Sequence, residues 1–282
     1  MAIKLMYITN NPKIATIAEK AGVDFIFLDL EKLGKEERQR NIDSVKSDHS
    51  ISDIRIIKNA VSSLEILVRV NPINPGSREE IDKVIKNGAD IVMLPMWRTQ
   101  KEVEQFISFV GGRAKVMLLL ETKDAAEIIS DIVKLDGIDK IHIGLNDLHL
   151  SYNKSFIFEL LADGTVETIC KKIDGSGITY GFGGIARLGD GLLPAQNVLA
   201  EHYRLNSNMA ILSRCFCDTL HGKNMDCIEN TFIQGIKEIR DYEAMLRGQD
   251  EAFFEKNHNL VCEKVELIVK EIKNKKQDRK LG

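Results

Sequence analysis

Two apolar segments near the middle of the chain each end in a carboxylate. Residues 115–120, Lys-Val-Met-Leu-Leu-Leu, precede Glu121, and residues 140–146, Lys-Ile-His-Ile-Gly-Leu-Asn, precede Asp147. Apolar runs of this kind are typical of strands buried on both faces, and reacting groups in parallel α/β folds gather at the carboxyl ends of strands. We therefore predict that Glu121 and Asp147 bind a divalent metal ion. The alternative is that each acid caps the helix or turn that follows it.

A second acidic pair ends an earlier apolar run, in which Asp29 and Glu31 share one face of the predicted strand. Four carboxylates around one opening would raise one another's pKa unless a cation lay among them. Hard oxygen ligands favour Mg²⁺ or Mn²⁺. We expect Asp29 and Glu31 to orient water or substrate beside that ion. Lys32, the next residue, would either act as an acid/base or merely neutralise the pair.

An arginine lies in the third apolar run. Strand alternation places Leu67, Arg69 and Asn71 on one face, so Arg69 should point into the barrel mouth. A buried guanidinium requires a partner, and its planar fork suits a carboxylate. That partner could be the substrate or an internal ion pair with Asp29 or Glu31, and the two are compatible.

Two adjacent glycines, Gly183 and Gly184, follow the seventh apolar run and are predicted to form a turn there. Barrel enzymes often bind phosphate or carboxylate through backbone amides at this place, which makes both glycines candidates for substrate binding. The alternative is a tight turn without a ligand. His142 and His149 are predicted to serve packing or face solvent rather than bind metal.

Eight apolar runs alternate with helical patterns, which predicts βα units joined by crossovers. Because there are eight repeats and no Gly-x-Gly-x-x-Gly after the first run, the predicted fold is an α/β fold of the (β/α)8 TIM barrel type, with a C-terminal helical extension. The predicted strands are residues 3–8, 24–30, 66–70, 91–96, 116–121, 140–143, 178–182 and 209–212. The predicted helices include residues 12–21, 78–87, 99–110, 123–135 and 192–205.

The barrel is predicted to occupy residues 1–220. Residues 221–282 should form long polar helices, 227–247 and 251–275, that pack on the barrel or on a neighbouring subunit, which indicates a homo-oligomer. The charged segment 33–63 is longer than a usual βα connection and is predicted to carry a short extra helix over the site.

Composition narrows the function classes. The 282 residues are 44% hydrophobic and 29% charged, with a formal net charge of -3, so nucleic acid is not an expected partner. The sequence shows no signal peptide and no apolar stretch of membrane-spanning length. Five cysteines, an odd number scattered along the chain, argue against a disulfide framework. A cytoplasmic location is expected.

Five short motifs resemble one known family, the HpcH/HpaI aldolases and the citrate lyase beta subunit, in order and in spacing. The resemblance covers residues 3–218, and the motifs are FLDLE at 27–31, LVRVNP at 67–72, VMLPM at 92–96, LLLE at 118–121 and IGLNDL at 143–148. It implies pyruvate- or acyl-CoA-handling barrels, often trimers or hexamers.

The resemblance also implies roles for individual residues. Glu121 and Asp147 would bind Mg²⁺ or Mn²⁺, Arg69 would contact the carboxylate or keto oxygens of the substrate, and backbone amides from Gly144 through Asn146 to Asp147 would seat the pyruvyl carboxylate.

The chain departs from the family pattern at three places. Lys32 replaces a histidine that handles protons, Leu119 replaces a glutamine, and Gly144-Leu-Asn-Asp147 replaces Gly-Pro-Ala-Asp. The metal and carboxylate positions are therefore retained, while the proton-handling position is not.

The predicted function is a divalent-metal-dependent carbon-carbon lyase or aldolase that acts on a 2-oxo acid, such as pyruvate, and an aldehyde. One alternative is an acyl-CoA lyase of the citrate lyase beta or malyl-CoA lyase type. The other is an inactive barrel with a binding or assembly role.

Overall fold

The computed structural model describes residues 2–34, 48–213, 216–217 and 224–281. Eight parallel strands pair in sequence order and close into a barrel, which confirms the predicted (β/α)8 fold. The strands are β1 (Lys4–Ile8), β2 (Phe25–Asp29), β3 (Glu65–Arg69), β4 (Ile91–Leu94), β5 (Lys115–Leu120), β6 (Lys140–Ile143), β7 (Thr179–Ile185) and β8 (Met209–Leu212).

Helices surround the barrel and extend beyond it. In the described residues they are α1 (Pro12–Ala21), α2 (Ile51–Ala60), α3 (Ser77–Lys86), α4 (Gln100–Val110), α5 (Lys123–Ile132), α6 (Leu145–Ser151), α7 (Glu159–Ala162), α8 (Thr165–Ile173), α9 (Ala195–Arg204), α10 (Met225–Leu246) and α11 (Glu251–Leu281). Local caps define the starts of two of them: Asn11 accepts backbone hydrogen bonds at the start of α1, and Thr99 forms a capping box with Glu102 at the start of α4.

The long segment between β2 and β3 was predicted to carry an extra helix over the site. In the described part, α2 occupies this connection and packs against α1 and β3, as an ordinary barrel helix does. Residues 35–47, where the rest of that prediction falls, lie outside the described residues. The last helix continues to Leu281 rather than ending at residue 275.

Strand alternation divides the core into two layers. One set of side chains packs against the helices, and the other set fills the barrel interior. The interior set is apolar and consists of Met6, Phe25, Phe27, Leu67, Ile91, Met93, Met117, Leu119 and Met209. Arg69 follows Leu67 on the same face of β3, one layer nearer the carboxyl ends of the strands, as alternation predicted. The apolar interior therefore forms the floor on which the polar groups at the barrel mouth are placed.

The C-terminal helices pack on the barrel's own helices. α10 lies along α1, and α11 packs against α9 and α7. Glu243 of α10, fully buried, accepts a 2.7 Å hydrogen bond from the backbone N–H of Ile3, so this helix is joined directly to the start of β1. In the part of the chain that the structure covers, no helix is both long and apolar enough to cross a membrane.

Candidate metal and substrate site

Arg69 forms an ion pair with two acids at the barrel mouth. Its Nε and Nη2 donate to the two carboxylate oxygens of Asp29, each at 2.9 Å, and its Nη1 lies 3.3 Å from Oε2 of Glu31. The pairing follows from the register, because Asp29 and Arg69 are partners across β2 and β3. Both acids are almost completely buried. The internal ion pair that the sequence left open is therefore present, and the two carboxylates raise the pKa of Arg69 against the effect of burial.

Glu121 lies directly after β5 and is buried at the same opening. Burial is the main cause that raises the pKa of Glu121 to about 8, the positive charge of Arg69 opposes it, and the negative charges of Asp147 and Glu31 add to it. The side chains of Arg69, Glu31 and Asp147 therefore lie close enough to Glu121 to affect its charge. The structure thus brings together acids that follow β2, β5 and β6 and the arginine of β3.

The alternative role of Glu121 as a helix cap does not hold. The side chain of Thr122 caps α5 instead, accepting from the backbone N–H of Ala125 at 3.1 Å. Oε1 of Glu121 accepts a 3.0 Å hydrogen bond from the backbone N–H of Met96. Its position is therefore fixed from β4 rather than by the helix that follows it.

Met96 has an unusual backbone conformation. Its φ of 55° lies in the left-handed region, which is uncommon for a residue other than glycine. Such a conformation costs on the order of 1–3 kcal/mol and persists where the surroundings require it. Here it directs the Met96 N–H at the carboxylate of Glu121. The strain thus coincides with the contact that orients the candidate metal ligand.

Gly144 leaves room for the other oxygen of Glu121. A Cβ at position 144 would lie 3.2 Å from Oε2 of Glu121 and 3.0 Å from a methyl group of Leu119. Gly144 precedes α6, and Asp147 lies in the first turn of that helix, while Asn146 is exposed on it. The missing side chain therefore allows α6 to approach Glu121 closely.

Substituting Gly144 with alanine should disturb this approach. We expect G144A to weaken Mn²⁺ binding at least tenfold, because the added methyl group displaces Oε2 of Glu121, and to lower the free energy of unfolding by about 1–3 kcal/mol through overpacking. Isothermal titration with Mn²⁺ and a denaturant titration measure the two effects. G248A is the matched control, since a Cβ there meets nothing closer than 3.6 Å. Equal Mn²⁺ affinity of G144A and G248A would contradict the expected role of Gly144.

The prediction that Gly183 and Gly184 form a turn after the seventh strand is wrong, because both lie within β7. The pairing of β7 with β8 shifts register between Gly181 and Gly184, which indicates a bulge. Gly183 has a φ of 52°, and a Cβ there would lie 2.8 Å from Leu145. The glycines permit an irregular strand that packs tightly under α6. Their predicted contact with substrate stays a prediction.

Lys32 lies at the edge of the opening. Its side chain is exposed, while its backbone N–H donates to Oδ1 of Asn71 at 2.8 Å. Asn71 also accepts from the backbone of Leu33 and donates through Nδ2 to Glu80 at 2.8 Å. Asn71 therefore holds the backbone at the start of the loop after β2 in place. The sequence placed Asn71 on the face of Arg69 but did not reveal this function.

His49 was not singled out from the sequence. Its buried ring accepts, through Nδ1, a 3.0 Å hydrogen bond from the backbone N–H of Asp29. It therefore supports the end of β2, which carries the acidic pair. No sequence signal could locate it, because it lies 20 residues from Asp29, within the long segment between β2 and β3. His142, predicted to serve packing, is buried in β6, and burial lowers its pKa to about 4.

Glu121 and Asp147 suit a hard divalent cation by the chemistry of their oxygens. The raised pKa of Glu121 reflects a buried carboxylate beside like charges, an arrangement that a cation would relieve. Over the described ranges, no group of three or more His, Cys, Asp or Glu side chains could hold a metal ion. The protein would thus supply two ligands, and substrate or water would supply the others.

Comparison with known proteins finds one matching family and solved structures of similar fold. The family model described as HpcH/HpaI aldolase/citrate lyase matches residues 4–155. The chain is similar in fold to the crystal structure of an HpcH/HpaI aldolase from Desulfitobacterium hafniense DCB-2, with a TM-score of 0.57, 16% identity, and coverage of 85% of this chain and 93% of that chain. It is also similar to the citrate synthase SbnG, with a TM-score of 0.57, 14% identity, and coverage of 86% and 95%. No curated protein sequence matches the chain.

Proposed function

This chain belongs to the HpcH/HpaI aldolase/citrate lyase family, and we propose that it is a divalent-metal-dependent carbon-carbon lyase or aldolase acting on a 2-oxo acid such as pyruvate. Membership of this family indicates an enzyme of the lyase or aldolase type in general. One observation carries the finer proposal. Glu121, buried and oriented by Met96, interacts electrostatically with both Asp147 and Arg69 at the carboxyl ends of the strands.

In this proposal Glu121 and Asp147 hold Mg²⁺ or Mn²⁺, in keeping with the general use of a divalent metal by the family. Bound there, the ion would supply Lewis-acid stabilisation of the negative charge that develops on the 2-oxo acid as the bond breaks. Oε1 of Glu121 accepts from the Met96 N–H, so the carboxylate is already oriented and would offer Oε2 to the ion. Asp147 approaches on α6, over the space that Gly144 leaves free.

Arg69 contributes a fixed positive charge to the same opening. Asp29 and Glu31 hold its guanidinium in one orientation, so little reorganisation is needed when negative charge develops on the substrate. Because Lys32 takes the place of the family's proton-handling histidine, we assign proton transfer to a water molecule steered by Glu31 or Lys32. The apolar floor beneath, which includes Leu119, excludes further water.

The proposal extends to partners. The second substrate would be an aldehyde, and we propose a homo-oligomer, a trimer or hexamer, to which the C-terminal helices contribute contacts. Sedimentation or light scattering of the purified chain would measure the assembly directly.

Two assays test the proposed activity. Purified protein is incubated with Mn²⁺ or Mg²⁺, pyruvate and a panel of aldehydes, and condensation products are identified by mass spectrometry. In parallel, exchange of deuterium from solvent into the methyl group of pyruvate is followed by NMR, since it requires only the enolate. Exchange and condensation that both depend on metal would support the proposal. Oxalate or pyruvate binding without exchange would favour the inactive barrel. Carbon-carbon cleavage of malyl-CoA or citramalyl-CoA, tested separately, without either of these activities would favour the acyl-CoA lyase.

Metal affinity should depend on pH in a direction set by Glu121. Because its pKa is raised to about 8, this carboxyl holds a proton at neutral pH that the metal must displace. We therefore expect Mn²⁺ affinity to rise by up to about tenfold per pH unit below pH 8 and to level off above it. Calorimetric titrations in buffers of different ionisation enthalpy would also detect about one released proton per metal ion. An affinity that stays constant between pH 6 and pH 8 would show that Glu121 is not the ligand.

A further inference from the structure

A glutamate, a histidine and a cysteine form a hydrogen-bonded line between α9 and α11, on the outer side of the barrel. Oε2 of Glu201 lies 3.1 Å from Nδ1 of His258, and Nε2 of His258 lies 3.7 Å from Sγ of Cys262. His258 and Cys262 are four residues apart on α11, so they occupy the same face of that helix. Neither the metal site nor the family assigns a function to these residues.

The hydrogen bonds around Glu201 determine which nitrogen of His258 carries the proton. Glu201 is fully buried, and it accepts from Nε of Arg204 at 2.9 Å and from Nδ2 of Asn257 at 2.9 Å. Both carboxylate oxygens of Glu201 therefore act as acceptors. Nδ1 of His258 must therefore be the donor, which leaves the lone pair of Nε2 directed at the thiol of Cys262. This is the tautomer that a general base requires.

We propose that Glu201, His258 and Cys262 form a second reactive centre, in which Cys262 is a nucleophile toward small disulfides and His258 is its general base. In the step, Sγ of Cys262 attacks one sulfur of the disulfide, the S–S bond breaks, and the thiol proton passes to Nε2 of His258. His258 then returns the proton to the departing thiolate, so the products are a mixed disulfide at Cys262 and a free thiol.

The thiol does not need to be ionised in the resting state. Burial is the first cause that raises the pKa of Cys262, the charges of Glu201 and Glu263 raise it further, and Arg204 opposes them. A standing thiolate is thus disfavoured, and the proton must leave during the attack, as it does from a serine activated by histidine. Reactivity should therefore depend on the imidazole of His258 beside the thiol rather than on ionisation of the thiol beforehand.

The surroundings permit access. Cys262 is half-buried, and the side chain of His258 is 24% exposed. Sγ of Cys262 donates to the carbonyl oxygen of Ala162, 3.5 Å away at the end of α7, so the thiol proton turns from this carbonyl to Nε2 of His258 before the attack. Cys227, on α10, is exposed and supplies a reference thiol within the same molecule. Cys170 is buried, and burial raises the pKa of its thiol to about 12, so it should stay unreactive.

The test compares Cys262 with Cys227 in one sample. The full chain is exposed briefly to dithiodipyridine, a neutral disulfide, between about pH 6 and pH 9, and the modification at each cysteine is quantified by peptide mass spectrometry. We expect Cys262 to react at least tenfold faster than Cys227 at neutral pH, with a rate that depends on pH less steeply than the rate at Cys227. The rate at Cys227 should keep rising with pH, as thiolate forms.

The variant H258Q provides the second arm. It should slow modification of Cys262 at least tenfold and restore a rate that rises steadily with pH, while Cys227 is unchanged. A thermal melt checks that H258Q folds, and if it does not, the pH profile of the unchanged chain decides alone. Parallel pH profiles for the two cysteines in the unchanged chain, or a folded H258Q that reacts at the original rate, would overturn the proposal. Aldolase activity is not needed for either readout, so failure here is distinct from failure of the proposed function.

Discussion

Replacing Glu121 with glutamine is expected to abolish Mn²⁺ binding and to lower kcat/KM for the proposed reaction by about 10³-fold or more, which corresponds to about 4 kcal/mol. Glutamine keeps the size of the side chain and can still accept the Met96 N–H through its amide oxygen. It cannot supply an anionic ligand. The loss should therefore reflect missing charge at one oxygen rather than a collapsed site.

The control for this variant is E104Q, which removes one carboxylate from an exposed position on α4. We expect E104Q to match the unchanged chain in activity, Mn²⁺ affinity and melting temperature. E121Q should fold as well as E104Q, because it replaces a buried acid that burial already disfavours in its charged form. Retention of Mn²⁺ binding in E121Q would place the metal elsewhere.

Replacing Arg69 with methionine should produce the largest loss of stability. Asp29 and Glu31 would stay buried after losing the guanidinium of Arg69, and breaking a buried pair in this way costs about 3–5 kcal/mol in free energy of unfolding. The destabilisation should shrink on acidification, since protonation removes the charges of the two carboxylates. Denaturant titrations at two pH values measure both effects.

An exposed ion pair serves as the control that separates the effect of burial on stability from the effect of charge. Lys115 and Glu65 form an ion pair at 2.6 Å with side chains 49% and 33% exposed, so K115M should cost about 1 kcal/mol or less. The triple variant R69M/D29N/E31Q should recover much of the stability that R69M loses, because it also removes the two carboxylates that Arg69 pairs with. A loss in R69M as small as that in K115M would show that the pair at the barrel mouth is not effectively buried.

The fold and the main charged groups could be predicted from the sequence because they depend on periodicity. Apolar runs that alternate with helical patterns located the eight strands, and an alternation of two placed Arg69 on the inner face of β3 beside Asp29. The carboxyl ends of β5 and β6 then placed Glu121 and Asp147 at one opening. These inferences need only local pattern and the rule that parallel strands end at the same side.

The features that could not be predicted from the sequence depend on contacts between distant segments or on the conformation of the backbone at single residues. The hydrogen bond of His49 to Asp29 joins residues 20 positions apart in the chain, and the left-handed Met96 has no residue signature. Gly183 and Gly184 suggested a turn, whereas they allow a bulge within β7, because glycine permits both. Sequence pattern does not distinguish such uses of glycine.

The most direct test of the central claim is a crystal soaked with Mn²⁺ and oxalate, an enolate mimic, and measured for anomalous scattering. We expect one Mn²⁺ peak within bonding distance of carboxylate oxygens of Glu121 and Asp147. Oxalate should lie between the ion and the side of the opening that carries Arg69. A peak bound by neither carboxylate, or oxalate held away from this opening, would contradict it.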